Sequence, residues 1–210
     1  MKKHVLPLTM IGLLILAWII AFPKLPEQMP IHWDVNGEAN GFASKLNAMF
    51  STLGIMVILY ISMAFLPKVD PRKTNYKYFS KSYRIILNAI IGVLFVINIL
   101  MLANAIGYDV PFGSIGPLVV GIIFMILGNY MPQVRSNFFI GIRTPWTLSS
   151  DEVWKKTHRA ASKIFFFGGL AMILATFVPG YWKEAVLFSV IAFTVIAPYI
   201  YSYVLFNRKL

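Results

Sequence analysis

The chain has 210 residues, of which 58% are apolar or aromatic and only 13% charged, and its mean hydropathy is +0.71. Soluble domains run at roughly 45–50% apolar and about 25% charged, so this composition excludes an ordinary soluble fold and requires a bilayer to cover the apolar surface. A net charge of +11 would fit a nucleic-acid binder in a soluble protein, and the lack of any cysteine excludes disulfides and thiolate chemistry without fixing a compartment.

The first apolar run covers residues 5–22. A helix rises about 1.5 Å per residue, so some 20 apolar residues cross the hydrocarbon core. Lys2 and Lys3 ahead of the run look like the start of a signal peptide. The run is longer than a signal core of ~7–15 residues, and no small-x-small cleavage site follows, so a retained first span is expected. Further runs cover 48–66, 85–106, 114–131, 164–178 and 185–206, with Pro67, Pro132 and Pro179 stopping the second, fourth and fifth. None contains Asp, Glu, Lys or Arg. The expected fold is an all-α membrane protein, a six-transmembrane-helix bundle forming a single integral membrane domain over 1–210.

The connection 23–47 is too long for a minimal turn. Pro23, Pro26 and Pro30 stiffen its start, residues 31–35 alternate apolar and polar, and Asn36-Gly37 signals a tight turn with positive φ. A structured extracellular loop is expected here, a cap on the outer membrane surface with Trp33 at the interface. It reads either as a rigid structural loop or as a recognition surface. The recognition candidates are Pro30, His32, Trp33, Asp34, Asn36 and Gly37.

The connection 67–84 is basic, carrying Lys68, Arg72, Lys73, Lys77, Lys81 and Arg84. Asn88, Asn98 and Asn104 on the third run and Asn129 on the fourth predict hydrogen bonds between helices, with a substrate path as the alternative. Gly121 and Gly128, seven residues apart, predict a close helix-packing groove. Pro198 predicts a kink in the last run.

The connection 132–163 predicts a cytoplasmic amphipathic helix in its second half. Ser149 and Glu152 fit a capping box, and Asp151–Lys155 and Glu152–Lys156 are favourable i,i+4 pairs. Val153, Trp154, Thr157, Ala160, Ala161 and Ile164 can share one face, as in an interfacial helix. Before it, Gly141 to Trp146 form a compact turn whose Arg143 can grip a carboxylate or phosphate. Two readings stand: a headgroup anchor with Trp146 and Trp154 as belt residues, or a docking surface for a cytoplasmic partner.

Sixteen of the 19 Lys and Arg fall at the two termini and in 67–84 and 132–163, against Lys24, Lys45 and Lys183 opposite. By the positive-inside rule both termini are cytoplasmic, in a membrane crossed several times. The charge then serves topology and anionic lipid, so no direct nucleic-acid partner is expected. His4, His32 and His158 lie on different sides and cannot share a metal. No HExxH, P-loop, dinucleotide or GxSxG motif occurs, so no metal, cofactor or catalytic residue is assigned. A small multidrug- or peptide-type transporter is the alternative, although carriers usually place ionisable groups near the midplane. A membrane enzyme built on Arg143, Asp151, Glu152 and His158 ranks lower, its carboxylates being already placed for capping and ion pairs.

Both connections resemble the signature regions of the SdpI/YfhL family of bacterial membrane proteins. The outer pattern is Pro26, Pro30, His32-Trp33, Asn36-Gly37 and Lys45. The inner and more specific pattern is Asn137, then Gly141-Ile142-Arg143-Thr144-Pro145-Trp146-Thr147-Leu148, then Val153-Trp154 and Thr157-His158-Arg159. Where the family's outer pattern often carries an acidic residue, this chain has Asn40. The resemblance covers the whole chain and implies an immunity protein that protects the cell from a secreted, membrane-active toxic peptide. It also implies a signalling role in which a cytoplasmic transcriptional repressor is held at the membrane. On that reading Asn137, Gly141, Arg143, Thr144, Pro145, Trp146, Trp154, Thr157, His158 and Arg159 form the cytoplasmic motif.

Overall fold

The computed structural model describes residues 4–178 and 180–208. Pro179, expected to stop the fifth span, and the terminal charges Lys2, Lys3 and Lys209 lie outside the described residues. The chain runs α1 (Val5–Ala21), β1 (Gln28–Trp33), β2 (Ala39–Ser44), α2 (Lys45–Val69), α3 (Ser80–Ala105), α4 (Phe112–Tyr130), α5 (Pro145–Ser149), α6 (Asp151–Ala175) and α7 (Tyr181–Asn207). Short 3-10 turns occupy Phe22–Lys24, Lys73–Tyr78 and Met131–Gln133.

Among the described residues, five helices are long and apolar enough to cross a membrane: Val5–Lys24, Lys45–Val69, Ser80–Ala105, Phe112–Gln133 and Tyr181–Asn207. The fifth apolar run is not a helix of its own. It is the second half of α6, whose first half carries Asp151, Glu152, Lys155, Lys156 and Arg159. The expected amphipathic helix and the run after it are therefore one 25-residue rod, about 37 Å long at 1.5 Å per residue. Two other boundaries also move. Pro67 lies inside the last turn of α2 rather than ending it, and Pro132 sits in a 3-10 turn that extends α4.

The chain forms two compact units. One holds α1, the β-hairpin, α2 to Met63, α3 from Leu87 and the chain to Gly116. Its interior is built by Leu14, Trp18, Met29, Ala48, Met56 and Ile91, all fully buried. Asn98 donates to Leu94 O of its own helix at 2.8 Å instead of reaching across helices, so the interhelical bond expected of it is replaced by back-bonding within α3.

The other unit holds residues 64–86 and 117–210. Here α4 meets α6 at glycines. A Cβ on Gly121 would lie 2.6 Å from Gly169 O, and one on Gly128 would lie 2.7 Å from Ser162 O and Phe166 N. Backbone touches backbone, which only glycine permits, as the spacing of Gly121 and Gly128 predicts. The polar interior of this unit lies at the N-terminal end of α6.

Candidate functional site

The inner motif folds around two buried polar centres. The first begins at Asn137, which is fully buried. Its Oδ1 accepts from Phe139 N–H and Ile140 N–H at 2.9 and 2.8 Å, and its Nδ2 donates to Arg135 O and Ile140 O. One amide side chain thus closes the loop that replaces a helix here, satisfying backbone groups that would otherwise be orphaned.

A second chain segment supplies the rest. Asp70, 1% exposed, accepts from Arg72 N–H at 2.6 Å, Tyr76 Oη–H at 2.8 Å and Phe138 N–H at 2.9 Å. Three donors on one carboxylate are what its removal from water demands. Tyr76 Oη also lies 3.3 Å from Asn137 Oδ1, and its hydroxyl is pushed far above the usual phenol range, first by burial and then by the bond to Asp70. Arg72 crosses to the motif with both ends of its guanidinium, Nη1 to Ser136 Oγ and Nη2 to Leu148 O at 2.8 Å. Its charge also lies 5.2 Å over the Phe138 ring and 3.9 Å from Asp151. Asn75 donates to Ser136 O at 2.7 Å.

The second centre is His158, 1% exposed. Its Nδ1 faces Trp154 O at 2.9 Å and its Nε2 faces Ile142 N–H at 3.1 Å. A carbonyl can only accept and an amide can only donate, so the imidazole is neutral with its proton on Nδ1. Burial pushes its pKa down to about 4, the bond to Trp154 O opposing the shift. The ring stacks on Trp154 at 4.1 Å, and Trp154 Nε1 donates to Val134 O at 2.8 Å. Gly141, with φ +103°, places its α-carbon where any Cβ would strike His158 Nε2.

Between these centres, Thr144 caps α5. It shares a reciprocal capping box with Thr147, has Pro145 behind it, and lies 3.0 Å from Ser202 Oγ of α7. Trp146 packs edge-on against Tyr199 and Tyr203. Ser150, not Ser149, caps α6 by accepting from Val153 N–H, while Ser149 Oγ–H donates to Trp146 O. Glu152–Lys156 pairs at 2.8 Å as expected, but Asp151 turns toward Arg72.

These positions revise the interfacial-helix reading. The shared face of α6 is present, but Val153, Trp154, Thr157, His158 and Ala161 are buried within the protein. Trp154, 3% exposed, is no belt residue. Of the cytoplasmic candidates, Asn137, Thr144, Trp154, Thr157 and His158 are buried and Trp146 is half-buried, while Gly141, Arg143, Pro145 and Arg159 face outward. Arg143 Nη1 donates to Phe138 O at 2.6 Å, its remaining donors staying at the surface. Among the described residues, no three His, Asp or Glu side chains gather as metal ligands would.

The outer candidates assemble as an antiparallel hairpin with bulges around His32. Asp34 is spent on the turn, its Oδ1 accepting from Asn36 N–H and Glu38 N–H at 2.9 Å each. Gly37 adopts φ +91° and presses on Gly113, where a Cβ would lie 2.6 Å from the Gly113 nitrogen. Trp33 stacks on Phe112 at 3.8 Å. Pro30 is half-buried opposite Phe42. His32 is exposed, its Nδ1 meeting Asn40 Oδ1 at 2.5 Å. The base is tied by Lys45 to Glu27 at 2.8 Å.

The model of the SdpI/YfhL protein family matches residues 133–202, which contain the motif loop, α5, α6 and most of α7. Immunity protein SdpI of Bacillus subtilis (strain 168) is 33% identical over 180 residues, 86% of this chain and 84% of that protein. The chain belongs to the SdpI/YfhL family. A domain of unknown function, DUF1648, matches residues 9–57, covering most of α1, the hairpin and the start of α2. No solved structure matches. In this SdpI/YfhL member, the two matched regions coincide with the two places where polar side chains organise loops.

Proposed function

We propose that this chain is an immunity protein of a bacterial cell membrane, protecting its host from a secreted, membrane-active toxic peptide. The similarity to immunity protein SdpI over most of both chains carries the reading. The chain acts by binding and not by catalysis. Three of its titratable groups serve structure: His158 and Asp70 are buried with their partners, and Asp34 closes a turn.

The proposed topology has six crossings and cytoplasmic termini. It takes the apolar half of α6 as the fifth crossing, because that returns the basic C-terminus, with Arg208 and Lys209, to the side of the basic connections 67–84 and 132–163. The hairpin then faces outward and the motif faces the cytoplasm. The peptide meets the hairpin first, with His32 as its exposed polar contact. The outward groups of the motif, Arg143, Pro145 and Arg159, form the surface that holds a cytoplasmic repressor. Signalling requires that the peptide favour one of two arrangements of the chain, since a ligand equally suited to both shifts nothing.

The test is survival of a toxin-sensitive bacterium expressing this chain and challenged with the purified peptide, with membrane potential recorded. Preserved potential supports immunity. Collapse despite verified membrane expression sinks it for that peptide. His32→Ala tests the outer contact, and unchanged protection removes His32 from it. Arg143→Ala tests the inner surface, and retained repressor recruitment removes Arg143 from it.

A further inference from the structure

Helices α6 and α7 leave an apolar groove between them. Its floor is at Gly168, where a Cβ would lie 3.0 Å from Val190 Cγ1, so the two helices are drawn close there. Its walls are Phe167 of α6 and Phe193 of α7, 64% and 60% exposed. The groove has a volume of about 500 Å³, and Lys163 is the one charged residue in its lining. Lys163, Phe167 and Ala171 all line it and stand at i, i+4 and i+8, one row along α6. That row is about 12 Å long at 1.5 Å per residue. Over such a length the volume gives a section of roughly 40 Å², half or less that of a helix about 10–12 Å across. The groove admits an extended hydrocarbon chain and shuts out the body of a helix.

Lys163 immediately precedes the apolar run 164–178. Its stem can lie along the groove while its ammonium stays at the headgroup level. Arg159, also exposed, is one turn further out on the same row. Among the described residues, neither cation forms an ion pair with a carboxylate, and the two acids of α6, Asp151 and Glu152, are engaged by Arg72 and Lys156. An unpaired cation at the mouth of an apolar slot is complementary to an anion that carries its own hydrocarbon chain. Basic pockets between spans on the cytoplasmic side select anionic headgroups in this way.

We infer that the groove binds one anionic phospholipid, its phosphate held by Lys163 with Arg159 behind it, and one acyl chain laid over Gly168 and Ala171 between the two phenylalanines. The site rests on the proposed crossing by the apolar half of α6, and it needs no toxic peptide.

The chain has no cysteine, so a single label is clean. Ser189 lines the groove and is exposed. The full chain with Ser189→Cys, carrying a small bimane fluorophore, is reconstituted into phosphatidylcholine vesicles. A minor, equal fraction of the lipid is either phosphatidylglycerol or phosphatidylcholine with brominated acyl chains. The expected result is severalfold stronger quenching by brominated phosphatidylglycerol. Lys163→Gln should bring the two lipids to equality. Lys155→Gln, the same loss of charge near the start of α6, should leave the preference intact. Equal quenching by both lipids with Lys163 present overturns the proposal, as does a preference that survives Lys163→Gln. Weak quenching by both also overturns it and shows the groove covered by protein, a second copy of the chain being the one protein available. The vesicles carry the same lipids in both leaflets, so orientation does not enter. Whether α6 crosses is read separately, by reaction of Trp182→Cys with an impermeant maleimide in intact cells. Failure here with that crossing intact counts against the lipid site alone and leaves the immunity reading untouched.

Discussion

Asp70 joins two segments that are remote in sequence, its own turn through Arg72 and Tyr76 and the motif at Phe138. Asp70→Asn keeps one acceptor but turns an NH2 toward backbone N–H donors. An unsatisfied buried donor costs about 1–3 kcal/mol, so the purified protein should melt several degrees lower, with Asp70→Ala at least as damaging. An unchanged melting temperature in both would show that the carboxylate is dispensable. His158 gives a prediction in pH. Its folded pKa of about 4 lies below the ordinary 6.5, so the unfolded chain takes up the proton first. The stability it confers is complete above pH 6.5 and is lost as pH falls toward 4. At about 1.4 kcal/mol per unit, wild type should lose roughly 2 kcal/mol between pH 6.5 and 5. His158→Gln should be flatter over that window, and an equal slope in both would remove His158 as the source. Gly141→Ala meets both a positive φ and the imidazole. Combined with His158→Ala, it should cost less than the sum of the single changes, because only the φ penalty is left; strict additivity would deny the contact.

At the scale of elements, α4 and α6 touch backbone to backbone at glycines. Gly121→Val or Gly169→Val should sharply reduce the yield of folded protein in detergent. Gly12→Ala and Gly54→Ala, where nothing lies within 4 Å of the new methyl group, should leave it unchanged. If all four behave alike, the close approach is not limiting. Much at this scale was legible from local pattern. The Asn36-Gly37 turn, the Gly121–Gly128 spacing and the α6 face are short-range signals that read directly. Asp70 was not, because its partner Phe138 is 68 positions away and the segment around it reads only as positive charge. The stacking of Trp33 on Phe112 was hidden for the same reason: an indole near an apolar run predicts an interface, and only the fold brings Phe112 against it. Ser149 and Ser150 are adjacent and equally fit to cap, so the choice between them rests on Ser149 bonding back to Trp146 O.

For the whole molecule, the apolar runs are plain in the sequence, and among the described residues five helices are long and apolar enough to span. The count of crossings is open to direct measurement. In intact cells, the six-crossing proposal expects Trp182→Cys to react with a membrane-impermeant maleimide as Asn40→Cys does, while Lys155→Cys reacts only after lysis. If Trp182→Cys reacts with the Lys155→Cys class, α6 does not cross and the C-terminus faces the other way.

The continuity of α6 has a mechanical consequence. A helix bends with difficulty and resists twisting, so its two ends share one rotation and one displacement along the axis. Turning by one residue's step, about 100°, would carry Trp154 and His158 out of their pocket, away from Val134 O and Ile142 N–H. Sliding by one turn would put a different side chain opposite Gly141. The inner motif is thus the toothed end of an axle whose apolar half lies among the chain's own helices, and it engages at one angle only.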